Sequence, residues 1–166
     1  MIIFGIDPGT AITGFGVIRA SGNSVAWVDS GVIKTDKAGL LADKLATIYD
    51  GLTEKIRQHA PARVCVEQAF YAKNVHTTLI LGHARGVAML AAKKAGAEVA
   101  EYSPREIKKS VVGNGNAAKE QVEYMIKAML AIPKNRDQAD AYDALAVALC
   151  DFQNYRYRAA MADRGR

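Results

Sequence analysis

Short apolar runs rich in β-branched residues alternate with helical repeats along this chain. The runs at 2–6, 14–19 and 24–34 are separated by turn residues, and they predict three strands in an antiparallel meander. Two further runs, at 63–68 and 98–102, each follow a helical segment and predict two more strands, parallel to the first. The pattern therefore predicts an α/β fold with a five-stranded mixed sheet flanked by helices.

Five segments carry the periodicity or the end signals of helices. They are 40–59, 74–95, a segment that begins after Ser103, 117–130 and 138–155. In the third segment, Ser103 and Glu106 form a capping-box signature with Pro104 at the first helical position. The helix at 74–95 is apolar over more than one face, which fits a subunit interface as well as burial on the sheet.

Length and composition limit the class of protein. The chain has 166 residues, of which 50% are hydrophobic, and this suits one domain with a proper core. No apolar run approaches membrane-spanning length, and Cys65 and Cys150 lie in apolar segments typical of a reducing compartment. We therefore expect a cytoplasmic protein without a membrane partner, with one domain at 1–155 and a basic, mobile tail at 156–166. The net charge of +5 suits a polyanionic partner but does not require one.

Carboxylates occupy informative positions in three separate segments. Asp7 ends the first strand and Glu67 ends the fourth, so both lie where parallel strands place their carboxyl ends. Asp140 and Asp143 are three residues apart on the last helix, about 60° apart around its axis, and can face one point. Taken singly, each acid is more typical of a structural role: a turn residue for Asp7, a solvated strand end for Glu67 and a first-turn helix residue for Asp140. Together, on apolar segments, they favour a site for a hard cation such as Mg²⁺.

Two aromatic residues follow the fourth strand. Phe70 and Tyr71 lie in the polar-flanked stretch "EQAFYAKN", which begins with Glu67. An aromatic ring beside an acidic edge can stack on an exposed base or separate two bases, although it can also anchor a loop in the core. From these residues alone, both roles remain open for Phe70 and for Tyr71.

Basic residues near the same segments are candidates for contacts with a phosphate backbone. Lys108 and Lys119 flank the loop "VVGNGN", whose backbone N–H groups can approach phosphate, although lone lysines at helix ends are usually only solvated. Lys73 and Arg85 are weaker candidates of the same kind.

Four motifs give the chain a resemblance to a known family. They are "GIDPGTAITGFGVI", "VEQAFYAKNVHTTLILGHARGVA", "VVGNGNAAKEQV" and "QADAYDALAVA". With acids on the first strand, the fourth strand and the last helix, the chain resembles the RNase H-like nucleases. More narrowly, it is similar to the RuvC family of bacterial Holliday junction resolvases, from roughly residue 2 to residue 150, without the basic tail.

The resemblance implies a function and a set of residues. Asp7, Glu67, Asp140 and Asp143 fall on the family's catalytic, metal-binding acids, and some members have His where this chain has Asp140. The implied cofactor is Mg²⁺, as a pair of ions per subunit with Mn²⁺ able to substitute. The implied protein is a homodimer that cuts opposed strands of a four-way DNA junction in recombination and repair, with the branch-migration motor RuvAB as a partner.

The resemblance also assigns DNA contacts. Phe70 falls on the family's junction-contacting aromatic residue, and Lys108 and Lys119 fall on two of its important lysines.

Three alternatives remain at the level of sequence. The segment "DPGTAITGFG" would pass as the phosphate loop of an actin-like ATPase, but those proteins need two such domains and the chain provides one. Another RNase H-like nuclease that acts on structured RNA would share the fold and some of the acids. A non-catalytic nucleic-acid module would not need four acids close to phosphate, because carboxylates repel phosphate unless a metal compensates them.

Overall fold

The structure, a computed structural model, describes residues 1–68, 75–132 and 139–164, without the side chains at 139, 140, 159, 160 and 162–164. The strands are β1 (Ile2–Asp7), β2 (Ile12–Ser21), β3 (Ser24–Lys34), β4 (Arg63–Glu67) and β5 (Glu98–Tyr102). The helices are α1 (Leu41–His59), α2 (Val75–Lys94), α3 (Pro104–Val112), α4 (Lys119–Leu130) and α5 (Ala139–Arg164).

The five strands form one mixed sheet in the order β3-β2-β1-β4-β5. β1, β2 and β3 are antiparallel neighbours, whereas β1, β4 and β5 are parallel. The predicted meander and the predicted five-stranded mixed sheet are therefore confirmed. Since β1, β4 and β5 run in one direction, their last residues lie along one side of the sheet, which we call the carboxyl edge.

Alternating side chains on the strands pack against helices on both faces of the sheet. On one face, Phe4 and Ile6 of β1 contribute to a core with α1 and α2. On the other face, Ile3 of β1 and Cys65 of β4 contribute to a core with α3, α4 and α5. Because side chains alternate along a strand, odd-numbered residues of β1 and β4 face α5.

Helix α5 lies unusually close to the sheet because glycines line its path. A Cβ atom added at Gly5 of β1 would lie 2.0 Å from the backbone oxygen of Ala144, and one at Gly16 of β2 would lie 2.7 Å from the backbone nitrogen of Leu145. Real Cβ atoms do not approach backbone atoms so closely. The sheet therefore accepts α5 at this distance only where it presents glycine.

The start of α3 is as predicted from the sequence, whereas the end of α5 is not. The predicted capping box of α3 is confirmed: the Glu106 N–H donates to Ser103 Oγ, and Ser103 N–H donates to Glu106 Oε2 at 2.8 Å. The last helix was predicted to end at residue 155, but α5 continues to Arg164 through most of the expected tail. A contact that the periodicity did not show accompanies this extension: the Arg156 guanidinium lies 5.4 Å from the centre of the Phe152 ring, one turn earlier.

Two other expectations concern cysteines and membranes. Cys65 and Cys150 are both buried as free thiols. Within the described ranges, every helix is too short or too polar to cross a membrane.

We predict that Gly5→Ala destabilises the protein strongly, because the new methyl group must push α5 off the sheet. The free energy of unfolding should fall by about 3 kcal/mol, at the upper end of overpacking effects. Urea unfolding followed by circular dichroism measures this change.

Gly51→Ala is the matched control, since Gly51 lies inside α1 and the three atoms nearest to an added Cβ, at 2.9 to 3.1 Å, belong to the Ile33 side chain and not to the backbone. Alanine also favours the helix, so its effect should stay within about 1 kcal/mol of zero. Equal effects of the two substitutions would contradict the close packing of α5 on β1.

Candidate active site

Asp7 and Glu67 lie side by side at the carboxyl edge. Ile6 of β1 pairs with Val66 of β4, so the next residue on each parallel strand is one of these acids. Both are odd-numbered and partly buried, and the alternation of the strands turns them toward the face that carries α5. Two carboxylates on neighbouring strands are thus brought together by strand register alone.

The turn after β1 is held by threonine hydroxyl groups. Thr13 Oγ1 donates to the Gly9 carbonyl at 2.7 Å, and Thr35 Oγ1 donates to the Thr10 carbonyl at 2.6 Å. A Cβ added at Gly9 would lie 2.3 Å from the Ile12 oxygen, so this turn requires glycine. These contacts fix the chain directly after Asp7 and leave its carboxylate at the edge of the sheet.

Helix α5 supplies the third carboxylate. Asp143, in the second turn of α5, is partly buried, and its Oδ2 lies 2.6 Å from the Lys119 ammonium at the start of α4. Asp140 lies one turn earlier on the same helix, but its side chain lies outside the described part of the chain. The structure therefore brings three of the four predicted acids to one place.

Burial and repulsion raise the pKa of Glu67 to about 8. Burial is the largest cause, followed by the negative charges of Asp7 and Asp143 and a hydrogen bond with Asp7, while the positive charge of Lys108 acts in the opposite direction. A carboxyl group so far from its ordinary pKa indicates that this edge concentrates more negative charge than the protein itself compensates. Such electrostatic strain is typical of functional sites.

A cleft of about 200 Å³ opens beside these carboxylates. Its charged lining residues are Glu67, Asp143, Lys108 and Lys119, and its apolar lining residues are Pro104, Ile107, Val122 and Ala146. Apolar walls lower the local dielectric constant, so the charges in the cleft interact more strongly than they would in water.

The donor set fits a hard divalent cation. Carboxylate oxygens from β1, β4 and α5, without thiolate or imidazole, are the ligands that Mg²⁺ prefers, and a cation would relieve the repulsion around Glu67. Among the described side chains, no three acidic, His or Cys groups are already arranged to hold a metal. Asp143 instead contacts Lys119, whose ammonium supplies a positive charge at that carboxylate.

The other predicted residues differ in where they lie. Lys108 and Lys119 line the cleft, whereas the Arg85 Nε donates to Glu101 of β5 at 2.5 Å, which ties α2 to the sheet. Phe70, Tyr71 and Lys73 lie outside the described residues.

One buried ion pair between β4 and α5 was not identified from the sequence. Arg63 at the start of β4 binds Asp151 of α5, and Tyr102 of β5 also donates to this carboxylate. Arg63 is 4% exposed and Asp151 is fully buried. The available signal was Asp151 itself, a charged residue at the end of the apolar run "DALAVALCD", which needs a buried partner.

We predict that Glu67→Gln stabilises the metal-free protein increasingly as the pH rises from about 4.5 to about 8. Because the folded-state pKa is raised, the stability that protonated Glu67 contributes is complete below its ordinary pKa and is lost as the pH rises through the folded pKa. Glutamine cannot ionise and avoids this loss, which can reach about 1.4 kcal/mol per pH unit. Urea unfolding of both proteins in EDTA, at several pH values, measures the difference; a constant difference would contradict the prediction.

Comparisons with known proteins show the family. The family model described as "Crossover junction endodeoxyribonuclease RuvC" matches residues 3–151. A relative with this description from Syntrophotalea carbinolica is 54% identical over 150 residues, which cover 90% of this chain and 92% of the relative. Another, from Shewanella amazonensis, is 47% identical over 163 residues, covering 98% of this chain and 93% of the relative.

Solved structures agree with this result. Thermus thermophilus RuvC matches with a TM-score of 0.85 at 29% identity, over 95% of this chain and 96% of that one. T. thermophilus RuvC in complex with Holliday junction substrate matches with a TM-score of 0.83 at 30% identity, over 90% and 92%. The fold is thus the RNase H-like fold of these resolvases, and the chain belongs to the RuvC family of crossover junction endodeoxyribonucleases.

Proposed function

We propose that this protein is a metal-dependent endonuclease that resolves four-way DNA junctions in recombination and repair. One cut in each of two opposed strands would leave 5′-phosphate ends that can be ligated. The observation that carries the proposal is that Asp7 lies beside Glu67, while Glu67 and Asp143 line one cleft together with Lys108 and Lys119. Membership of the family, one of whose members is in complex with a Holliday junction substrate, supports the choice of DNA.

The acids of the site would act as metal ligands. Asp7, Glu67 and Asp143 present carboxylate oxygens from three elements, and Asp140 lies one turn from Asp143 on α5. When bound, Mg²⁺ would make the attacking water more acidic and neutralise charge at the scissile phosphate, with Mn²⁺ able to substitute. The protein's own part is to hold these carboxylates near one another on β1, β4 and α5.

The two lysines of the cleft would attract and orient the DNA backbone. Lys108 lies close enough to Glu67 to lower its pKa, and Lys119 contacts Asp143. In the metal-free protein these ammonium groups partly compensate the carboxylates. When a cation takes that role, they become available to the phosphate groups on either side of the scissile bond.

Contacts outside the cleft would select the junction. Phe70 and Tyr71 follow Glu67 by three and four residues in the sequence. We propose that Phe70 separates or stacks on a base where the strands exchange, with Tyr71 and Lys73 beside it. Arg85 would make a weaker backbone contact, since Glu101 already neutralises its charge.

We propose that the active form is a homodimer assembled through α2. Val75, Leu79 and Leu90 of this helix are exposed, and a Cβ atom added at Gly82 or Gly86 would meet nothing within 4 Å. These positions recur at helical spacing, so they form one apolar face with space for close approach. A second copy is the natural occupant, because cutting opposed strands requires two active sites related by a twofold axis.

The cellular setting follows from the substrate. We propose that the protein acts in the bacterial cytoplasm, where four-way junctions form on the chromosome. The branch-migration motor RuvAB, which the resemblance implies, would be the partner that moves the junction point past the two active sites.

We predict that Asp7→Asn lowers the rate of junction cleavage by at least about 100-fold, since it removes a metal ligand. Junction affinity should be kept or increased, because one negative charge near phosphate is lost. Single-turnover cleavage of a synthetic four-way junction with a mobile core, in Mg²⁺ and in EDTA, measures the rate, and gel shift in EDTA measures the affinity.

Asp50→Asn, an exposed acid of α1 on the opposite face of the sheet, is the matched control and should cleave normally. Linear duplex and an RNA–DNA hybrid serve as alternative substrates. Efficient cutting of the hybrid instead of the junction would contradict the proposed substrate, and loss of junction binding by a folded Asp7→Asn protein would contradict the role of Asp7.

We predict that Leu79→Glu converts the dimer to a monomer, because it places a charge on the apolar face of α2. Leu40→Glu is the matched control: Leu40 is 73% exposed, against 61% for Leu79, but lies before α1. Sedimentation velocity should show a monomer for the first variant and a dimer for the second. Two dimers would show that the face of α2 does not hold the subunits together.

A further inference from the structure

Contacts between strand β4 and helix α5 recur at nearly the same interval along both elements. Glu67 at the end of β4 and Asp143 of α5 line the same cleft. Two residues back along β4, Cys65 Sγ donates to the Val147 carbonyl at 3.5 Å, one turn further along α5. Two strand residues advance about 6.6 Å and four helix residues about 6.0 Å, so the two elements stay in step.

The far end of this series is a buried ion pair. Arg63, two residues before Cys65, binds Asp151, one turn after Val147. Its Nε donates to Asp151 Oδ2 at 2.7 Å and its second terminal nitrogen donates to Asp151 Oδ1 at 2.9 Å, a two-point contact. The hydrogen bond with Asp151 raises the pKa of Arg63 further above its ordinary range, so the pair stays ionised.

Two more groups hold the pair in place. Tyr102 Oη donates to Asp151 Oδ1 at 2.8 Å, and the Arg63 guanidinium also contacts Glu98 at 2.5 Å. Both residues belong to β5, and Tyr102 pairs with Glu67 in the sheet. We call Arg63, Asp151, Tyr102 and Glu98 the Arg63 network.

We propose that the Arg63 network is a positioning device for the active site, which sets the register of α5 on β4 and thereby the separation of Asp143 from Glu67. The inference rests on the proposed role of those two acids as metal ligands. Arg63, Asp151 and Tyr102 do not touch substrate; they act through the helix and the strand that carry the ligands. No acidic residue of the cleft belongs to the network.

Geometry favours this role over simple stabilisation. A planar guanidinium and a carboxylate that share two hydrogen bonds tolerate little sliding or rotation. Most of the neighbouring contacts between α5 and the sheet are apolar packing, which fixes the position of a helix less sharply than directed hydrogen bonds do. The network is therefore the contact best able to resist movement of α5 along β4, and repulsion among the carboxylates favours such movement.

Two variants test the proposal without emptying the core. Tyr102→Phe removes one hydroxyl group and leaves the ion pair, and Arg63→Lys keeps the charge but loses the two-point contact. We expect each substitution to raise the dissociation constant for Mn²⁺, measured by electron paramagnetic resonance on the full chain without DNA. For Arg63→Lys the dissociation constant should rise about 10-fold. Cleavage at saturating junction should slow and recover at high Mg²⁺, while junction affinity in EDTA stays unchanged.

The matched control is Ile48→Val, a mild core substitution in α1 on the opposite face of the sheet. It should lower the melting temperature by an amount similar to Tyr102→Phe, with the Mn²⁺ affinity of the wild-type protein. If the network variants also bind Mn²⁺ like the wild type, the network only stabilises the fold and the proposal is overturned. If Arg63→Lys does not fold, Tyr102→Phe alone decides between these outcomes.

Glu67→Gln separates this inference from the proposed function. Weaker Mn²⁺ binding by Glu67→Gln, together with normal binding by Tyr102→Phe and Arg63→Lys, rejects the positioning role and keeps the metal site. Equal binding by the wild type and Glu67→Gln rejects the metal site, and the positioning role is rejected with it.

Discussion

The close approach of α5 to the sheet is the constraint on which the rest of this structure depends. Gly5 and Gly16 leave space for the backbone of α5, and small residues of the helix fill it. At this distance, a side chain from the helix can reach the acids that end β1 and β4. A larger residue at position 5 or 16 would push α5 away from the sheet and would move Asp143 away from Glu67.

The active site brings together carboxylates that repel one another. Asp7 and Glu67 come together because two parallel strands end at the same edge, and the partly buried Asp143 adds a third charge. The high pKa of Glu67 and the contact of Asp143 with Lys119 are two responses to that accumulation. A packed core holds the carboxylates close together despite their repulsion, at a cost to the stability of the metal-free protein.

The sequence predicted the fold, and the meeting of Asp7 with Glu67, because both depend on local patterns. Short apolar runs rich in β-branched residues identify β1 and β4, and the alternation of side chains along a strand turns Asp7 and Glu67 to the same face. The Arg63 network could not be predicted in this way. Arg63 and Asp151 are 88 residues apart, and their pairing depends on the register of a helix on a strand, which no local pattern encodes. The length of α5 was also missed, because its last turns lack the apolar period.

A buried ion pair suits a positioning role better than a stabilising one. Removing two charges from water offsets much of their attraction, so apolar residues of similar volume at 63 and 151 could give equal stability. Apolar side chains would pack at several nearby registers of α5, whereas the two hydrogen bonds between Arg63 and Asp151 define one. In most of the core a shift of a few tenths of an ångström would matter little. At the carboxyl edge it would change the separation of the carboxylates that we propose as cation ligands, and there a defined register has a chemical consequence.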